Sequence, residues 1–399
     1  MEFEQIQRAA AIIAPMIKKT PLIYSSFFSQ EYKNQVYIKP ENLQVTGAFK
    51  IRGACNKISQ LTQEQKERGL VAASAGNHAQ GVAMAAQRLG VAATIVMPAA
   101  TPLIKVEATR SYGAEVVLYG DCYDDAHGKA MQLVAEHGMT LVHPFDDEEV
   151  IAGQGTIGME ILEELPDVDV VLVPIGGGGL ASGVALAIKS MNPAVTIIGV
   201  EPKGAQTLRK SIQNDRITEL KKLSTIAEGV AVKKAGVLTY AMVKEYVDDI
   251  VTVEDVDIME SFLLLLEKEK LIAENAGVLS LAAIRKLHLH DKKIVSIVSG
   301  GNIDVVTISE LINRGLVVRG RVFCFAVELS DTPGELTKIS SILSDARANI
   351  IKLDHNQFKT IDRFRHVQLE VTVETNGKRH VSQIKKALQH AGYEFEVVY

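Results

Sequence analysis

The order of apolar runs along the chain constrains its fold more than any other feature of the sequence. Between residues 58 and 304, short continuous apolar runs alternate with stretches of helical apolar spacing, as at 79–89 and 180–190. Runs that are apolar at every position are typical of strands covered on both faces. The sequence therefore predicts an α/β protein with parallel sheets. The predicted strands are 92–97, 115–119, 170–173, 195–200 and 294–298.

The pattern changes after Gly315. Residues 366–373 alternate between polar and apolar side chains, which predicts a strand with one face open to solvent. Apolar spacing predicts helices around 336–343 and 381–388. With further strands the order is βαββαβ, a ferredoxin-like arrangement. The remaining assignments are strands near 322–329, 350–358 and 393–399, a hinge at 314–320, and two regions, 1–318 and 320–399.

Composition and charge exclude several classes of function. The 399 residues carry a net charge of −5, so no basic excess indicates binding to nucleic acid or to an anionic membrane. No apolar run is long enough to span a bilayer. Cys55, Cys122 and Cys324 are scattered and odd in number, which indicates neither a disulfide framework nor a metal cluster. We expect a cytoplasmic protein without a structural metal.

The first segment that could carry chemistry surrounds Lys50, which follows a Thr46-Gly47 turn and precedes a helical run. A lysine at the start of a helix is most often solvated. Held in an apolar site instead, its amine would have a lowered pKa and could form a Schiff base. The segment alone leaves both interpretations open.

Two further segments follow predicted strands. The sequence of 74–81 is Ser-Ala-Gly-Asn-His-Ala-Gln-Gly, which is either a plain turn with Ser74 as the helix N-cap or a carboxylate site. Ser299 begins the sequence Ser-Gly-Gly-Asn after the last predicted strand. A residue at that position faces the usual ligand crevice of an α/β sheet, although a turn serine is also common there.

Four consecutive glycines at 176–179 join a predicted strand to a predicted helix. Glycines there let backbone amides crowd around a phosphate, so this is the strongest single indication of a ligand. The segment also fits the dinucleotide fingerprint, as Gly176-x-Gly178-x-x-Ala181 with Glu201 lying 20 residues beyond. An NAD-dependent oxidoreductase is therefore an alternative hypothesis.

Together these four segments resemble the fold-type II pyridoxal-phosphate (PLP) enzymes, and within them the threonine/serine dehydratases. The segments occur in the family's order and at its approximate spacing, and the resemblance covers residues 5–314. It implies two parallel-sheet α/β domains similar to the β subunit of tryptophan synthase. Residues 45–145 would form the smaller, mobile one.

The resemblance implies how each segment would bind PLP. Lys50 would hold it covalently as a Schiff base, and Phe49 would pack against its ring. Asn77 would bond its 3′-oxygen, and Ser299 would meet its pyridine nitrogen. The phosphate would be held by Gly176, Gly177, Gly178 and Gly179.

The substrate implied by the resemblance is an amino acid. L-Threonine would lose ammonia to give 2-oxobutanoate, and L-serine would give pyruvate. The substrate would bind at Ser74, Ala75, Gly76, Asn77 and His78.

Two departures from related families refine this expectation. Related serine racemases carry a serine directly after the first serine of the 74–81 loop, as an acid/base on the opposite face of the α-carbon. Ala75 cannot carry a proton, which favours a dehydratase. Those racemases also bind a divalent ion partly through acids after the strand that ends at Glu201. Thr207 stands at the position of the second acid, so we expect no tight divalent site.

The C-terminal βαββαβ pattern resembles the ACT family of amino-acid-sensing domains. It implies an allosteric effector site and a homodimer or homotetramer. Attached to an enzyme that makes the precursor of isoleucine, it would respond first to isoleucine and then to valine. A non-enzymatic sensor is a further alternative, but an intact Lys50 and Ser299 argue against it. The implied regulatory residues are Asp331, Pro333, Gly334, Asn349 and Ile350.

Overall fold

The computed structural model describes residues 1–356 and 366–399. The chain divides into two units, Met1–Asp304 and Val305–Tyr399. The sequence placed the boundary near residue 318, but the division falls before the helix Val305–Val318 rather than after it. Much of the predicted hinge, 314–320, is therefore the last turn of a helix.

The strands of the first unit form two sheets. The larger has six strands in the described residues, in the order β1-β2-β10-β7-β8-β9, and only the edge pair β1 and β2 is antiparallel. The smaller is parallel throughout, in the order β5-β4-β3-β6. The strands are β1 (Ile23–Ser25), β2 (Gln35–Pro40), β3 (Leu70–Ala73), β4 (Ala93–Met97), β5 (Glu115–Leu118), β6 (Thr140–Leu141), β7 (Val170–Pro174), β8 (Thr196–Pro202), β9 (Asp249–Val253) and β10 (Lys293–Val298).

Helices follow most of these strands, and the predicted α/β class is confirmed. Every residue of β3, β4 and β7 is buried, as expected for strands covered on both faces. The helices are α1 (Phe3–Ile13), α2 (Ser26–Tyr32), α3 (Lys50–Ser59), α4 (Gln63–Arg68), α5 (Asn77–Leu89), α6 (Leu103–Arg110), α7 (Tyr123–His137), α8 (Glu148–Glu164), α9 (Gly179–Met191), α10 (Thr207–Gln213), α11 (Val237–Tyr246), α12 (Asp255–Leu264) and α13 (Leu279–Ala283).

The second unit has the predicted βαββαβ order after its first helix. Its antiparallel sheet has the strand order β12-β13-β11-β14, which is ferredoxin-like. The third strand was predicted over 350–358. Its last two predicted residues, 357 and 358, lie outside the described residues. The elements are α14 (Val305–Val318), β11 (Val322–Ser330), α15 (Glu335–Asp345), β12 (Asn349–Asn356), β13 (His366–Glu374), α16 (Lys378–His390) and β14 (Phe395–Val397).

Three of the four chemistry-bearing segments begin where a parallel strand ends. The 74–81 loop follows β3, the glycine loop follows β7, and Ser299 follows β10. The carboxyl ends of parallel strands form the usual ligand crevice of such sheets. In the described part of the chain, no helix has the length and apolar character needed to cross a membrane.

Candidate active site

Lys50 is the first residue of α3 and lies beside the end of β10. Ala48 forms a β-bridge with Gly300, and the Phe49 amide donates to the Ser299 carbonyl (3.1 Å). Lys50 is half-buried, and its Nζ donates to the carbonyl of Pro144 (2.6 Å). Burial lowers the pKa of Lys50 to about 8, against an opposing effect of the Glu274 charge. The structure therefore favours an activated amine over a solvated helix-start lysine.

A buried ion cluster anchors the helix that carries Lys50. Arg52, fully buried, donates through Nε and Nη2 to both carboxylate oxygens of Glu41 (2.8 Å each). It also donates to Glu160 on α8 through Nη1 (2.6 Å) and Nη2 (2.9 Å). Burial alone would raise the pKa of Glu41, but the Arg52 charge and hydrogen bonds lower it overall. Arg52, two residues after Lys50, therefore holds the first turn of α3 in place.

The glycine loop is packed too closely for side chains at its positions. Gly178 has φ +98°, and a Cβ at Gly177 or Gly179 would overlap Phe145. Among the described residues, the amides of Gly176, Gly177 and Gly178 donate to no protein acceptor. They adjoin the N-terminus of α9, whose first amides also lack partners within the helix. This cradle fits a phosphate group.

Pro144 and Phe145 connect the lysine to the glycine loop. The Pro144 carbonyl accepts from Lys50 Nζ, and the next residue packs on Gly177 and Gly179. The amine of Lys50, with its lowered pKa, and the glycine loop therefore lie on either side of one dipeptide. No motif indicated Phe145 in advance, because its importance depends on the glycines that it contacts.

One alternative for the 74–81 loop, a turn with Ser74 as the helix N-cap, is wrong. Ser74 does not cap α5: its Oγ accepts from the Gly76 amide (3.2 Å), and Gly76 is the N-cap. His78 is buried, with Nε2 2.8 Å from the Val142 carbonyl. Burial lowers the pKa of His78 to about 3, so its ring is neutral. His78 therefore supports the loop, while the first amides of α5 remain available to a carboxylate.

Asn77 connects residues from three separate segments. Its Nδ2 donates to Glu274 Oε1 (2.6 Å), and its Oδ1 accepts from Asn302 Nδ2 (2.9 Å). Burial raises the pKa of Glu274 to about 7, while the Asn77 hydrogen bond acts in the opposite direction. The sequence interpretation missed Glu274 entirely. Asn302 is the last residue of the Ser-Gly-Gly-Asn segment, but no role was predicted for it.

Ser299 lies at the carboxyl end of β10 and is 4% exposed. Its amide donates to the Gly277 carbonyl (3.3 Å). Its hydroxyl has no hydrogen-bond partner in residues 1–356 or 366–399, so it is available to a neutral ring nitrogen.

Glu201, the acid required by the dinucleotide hypothesis, has a different role. It is fully buried and accepts from the amides of Leu208 (2.8 Å) and Arg209 (2.9 Å) at the start of α10. Burial raises the pKa of Glu201 to about 7. Its oxygens are used by the helix, so they are not presented to a ribose. Within the described ranges, no group of three or more His, Cys, Asp or Glu side chains is arranged to hold a metal ion.

Residues 13–300 match the family model described as "Pyridoxal-phosphate dependent enzyme". The chain belongs to this family. Its cofactor is PLP, and the NAD alternative is wrong. The phosphate cradle, the activated lysine and the free Ser299 hydroxyl are the parts of this PLP-dependent enzyme that fit the cofactor.

Similar proteins share its fold and much of its length. L-threonine ammonia-lyase of Thermotoga maritima is 46% identical over 396 residues, which is 99% of each chain. Processed threonine deaminase isoform 2 from Solanum lycopersicum has a TM-score of 0.76 and 38% identity, covering 78% of this chain and 87% of that one. Maize serine racemase has a TM-score of 0.75 and 37% identity, covering 79% and 98%.

The second unit contains a cavity of about 300 Å³ beside the loop that follows β11. Asp331, Pro333 and Gly334 line it, together with His355 from β12. Asn349 and Ile350 do not line this cavity. They begin β12, whereas His355 lies near its other end, about 20 Å away in an extended strand.

Proposed function

We propose that this chain is a threonine ammonia-lyase, which converts L-threonine to 2-oxobutanoate and ammonia and L-serine to pyruvate and ammonia. One observation carries the proposal: the similarity to L-threonine ammonia-lyase extends over 99% of both chains. An activated lysine, a phosphate cradle and a carboxylate-binding helix start support it. Each of these three features has a role in the elimination of ammonia.

Lys50 is the proton carrier of the proposed reaction. When bound, PLP supplies the electron sink that stabilises negative charge at the substrate's α-carbon. With a pKa of about 8, roughly a tenth of the Lys50 amine is uncharged at pH 7 and can take the α-proton. The resulting ammonium can supply the proton that the leaving β-hydroxyl group requires. No water is gained or lost overall, because the enamine product then hydrolyses.

The other residues hold the reactants. Amides at 176–179 would hold the cofactor phosphate, and Asn77 would donate to its phenolic oxygen. The first turn of α5, with Ser74, receives the substrate carboxylate. Ser299 meets the pyridine nitrogen with a neutral hydroxyl, which cannot hold an added positive charge there. A weaker electron sink favours prompt loss of the β-hydroxyl group.

A serine racemase is the second candidate, because maize serine racemase has the same fold. Ala75 argues against it, since a methyl group offers no acid/base on the second face of the α-carbon. The test is to incubate the PLP-loaded protein with L-threonine and L-serine and to measure keto acid and D-serine. Keto acid from L-threonine without D-serine is the expected result. D-Serine as the main product would contradict the proposal.

We also propose that the second unit is an ACT domain that regulates this activity in a homodimer or homotetramer. Asp331 and Gly334 line a cavity large enough for an amino acid, and α15 begins beside it. Isoleucine, then valine, is the expected effector. This would place the enzyme in isoleucine biosynthesis.

The regulatory proposal is tested by titrating L-threonine with and without isoleucine or valine. A coupling of about 1–3 kcal/mol would give a visible shift in the threonine response. The control is a chain that ends at Asp304, because a cut near residue 315 would divide α14. An unchanged threonine response, with no isoleucine or valine binding by calorimetry, would contradict the proposed effector.

A further inference from the structure

The Asn77 amide lies between two side chains that distinguish its oxygen from its nitrogen. Asn302 Nδ2 donates to Oδ1 of Asn77, and Nδ2 of Asn77 donates to Glu274. Asn302 is itself fixed, because its Nδ2 also donates to the Thr46 carbonyl (2.7 Å). Turning the Asn77 amide by half a turn would place a donor against Asn302 and an acceptor against Glu274. The hydrogen bond from Asn302 would be lost, and the one to Glu274 would be lost whenever Glu274 is ionised.

Gly47 makes room for this arrangement. Its φ is +71°, and a Cβ there would overlap the Asn302 amide. The Gly47 carbonyl also accepts from the Gly301 amide (2.8 Å). The turn before Lys50 and the segment after β10 are therefore joined where Asn302 reaches Asn77. This gives Asn302 a defined place between three of the four chemistry-bearing segments.

We propose that Asn302 and Glu274 are positioning residues that hold the Asn77 amide in one of its two orientations, so that its second Nδ2 hydrogen faces the cofactor. The proposal rests on the role of Asn77 proposed above. A donor beside the phenolic oxygen favours the ionised form of that oxygen, whereas a carbonyl oxygen there requires it to be protonated. The orientation of the Asn77 amide would thereby favour one protonation state of the phenolic oxygen over the other.

Asn302→Asp tests this directly, because it replaces a donor with an acceptor of nearly the same size. A carboxylate oxygen would then face Oδ1 of Asn77, and the amide would turn. In the purified PLP-loaded protein, absorbance should move from the visible band of the ionised oxygen to the near-ultraviolet band of the protonated one. The dissociation constant of PLP should rise about tenfold, as expected for loss of a hydrogen bond to a charged group.

Substitutions of Glu274 separate orientation from charge. Glu274→Gln keeps an oxygen that can accept from Asn77, so the visible band should be retained. Glu274→Leu removes the acceptor, so the near-ultraviolet band should grow. The double variant Asn302→Asp/Glu274→Gln can reverse donor and acceptor on both sides of Asn77. It should have the largest near-ultraviolet fraction of the series.

Asn42→Asp is the matched control. Asn42 is also buried, and its Nδ2 donates to the Ile272 carbonyl (2.9 Å) rather than to Asn77. It loses a buried donor in the same way, so it should unfold more easily while keeping the wild-type spectrum. Wild-type band ratios and PLP affinity in both Asn302→Asp and Glu274→Leu would overturn the proposal. Should Asn302→Asp fail to fold, Asn302→Ala removes the donor without adding charge, and a wild-type ratio there would overturn it equally.

The same measurements distinguish this proposal from the proposed function. A wild-type protein that shows no visible PLP band and releases no keto acid contradicts the function itself. If the wild-type protein shows the visible band and releases keto acid, and the variants have its spectrum and PLP affinity, only the positioning roles of Asn302 and Glu274 are contradicted.

Discussion

The candidate sites of the two units are built in different ways. In Met1–Asp304, the site depends on side chains whose chemistry is altered by burial, such as Lys50 with its lowered pKa and Glu274 with its raised pKa. In Val305–Tyr399, the cavity is lined by an exposed loop around Gly334. A reaction demands particular residues at fixed positions, whereas a sensor needs mainly a cavity and free backbone groups. This difference explains why sequence motifs indicate the candidate catalytic residues of the first unit more readily than the ligand proposed for the second.

Loss of the amine is expected to have the largest effect and to be confined to the first unit. Lys50→Ala removes the only amine placed against the Pro144–Phe145 peptide in the described structure. Turnover of L-threonine should fall by at least about 10³-fold, because proton transfer and covalent attachment are lost together. Keto-acid release and the visible absorption band provide the measurement. Near-normal release would contradict the assignment of Lys50.

Buried charge should stabilise the first unit in a way that surface charge in the second does not. Arg52→Met leaves Glu41 without its partner in the protein interior, which should cost about 3–5 kcal/mol of unfolding free energy. The control is Lys338→Met, which removes a surface pair with Glu335 and should change stability by less than about 1 kcal/mol. Denaturant unfolding of the full chain measures both. Equal costs would show that the buried cluster is no more important than a surface pair.

A raised pKa gives the first unit a characteristic dependence on pH. In the cofactor-free protein, Glu274 holds its proton up to about pH 7 when folded and only to about 4.5 when unfolded. Its contribution to stability is therefore complete below pH 4.5 and is lost as pH rises to about 7. Relative to Glu274→Gln, wild-type stability should fall by about 1–3 kcal/mol across this window and stay constant above it. A pH-independent difference would contradict the raised pKa.

The smallest effect is expected at the backbone of the second unit. Gly334 has φ +104° and lines the cavity, whereas Gly392 has φ +85° and does not line it. Alanine at either position should cost about 1 kcal/mol of strain. Only Gly334→Ala should raise the isoleucine concentration needed for half-effect, by roughly fivefold. An equal shift in Gly392→Ala would mean that general loosening, and not the cavity, governs the response.

The sequence predicted the elements whose patterns are local. The strand predicted at 115–119 appears as Glu115–Leu118, and the helix predicted at 180–190 appears as Gly179–Met191. Short pieces such as Thr140–Leu141 were missed, because two residues carry no periodicity.

The missed site residues have a different explanation. Asn77 meets Asn302 across 225 positions of sequence and meets Glu274 across 197. No spacing rule connects such residues until the sheets bring them together. Phe145 is missed for the same reason, since its role depends on the glycines that it contacts. Motifs therefore indicate which atoms do the chemistry, while the fold shows which neighbours orient them.

The contact between Phe145 and the glycine loop has a consequence for how this enzyme can diverge. A side chain at position 177 would overlap the aromatic ring, so Gly177 cannot be replaced while Phe145 stays as it is, whereas a side chain at 179 would meet the backbone of Phe145. Loss of the ring alone would open space beside the phosphate cradle. These positions should therefore change together over evolutionary time, and a homologue with a side chain at 177 should carry a small residue at 145. Positions 145 and 177, which are 32 residues apart in sequence, would then covary.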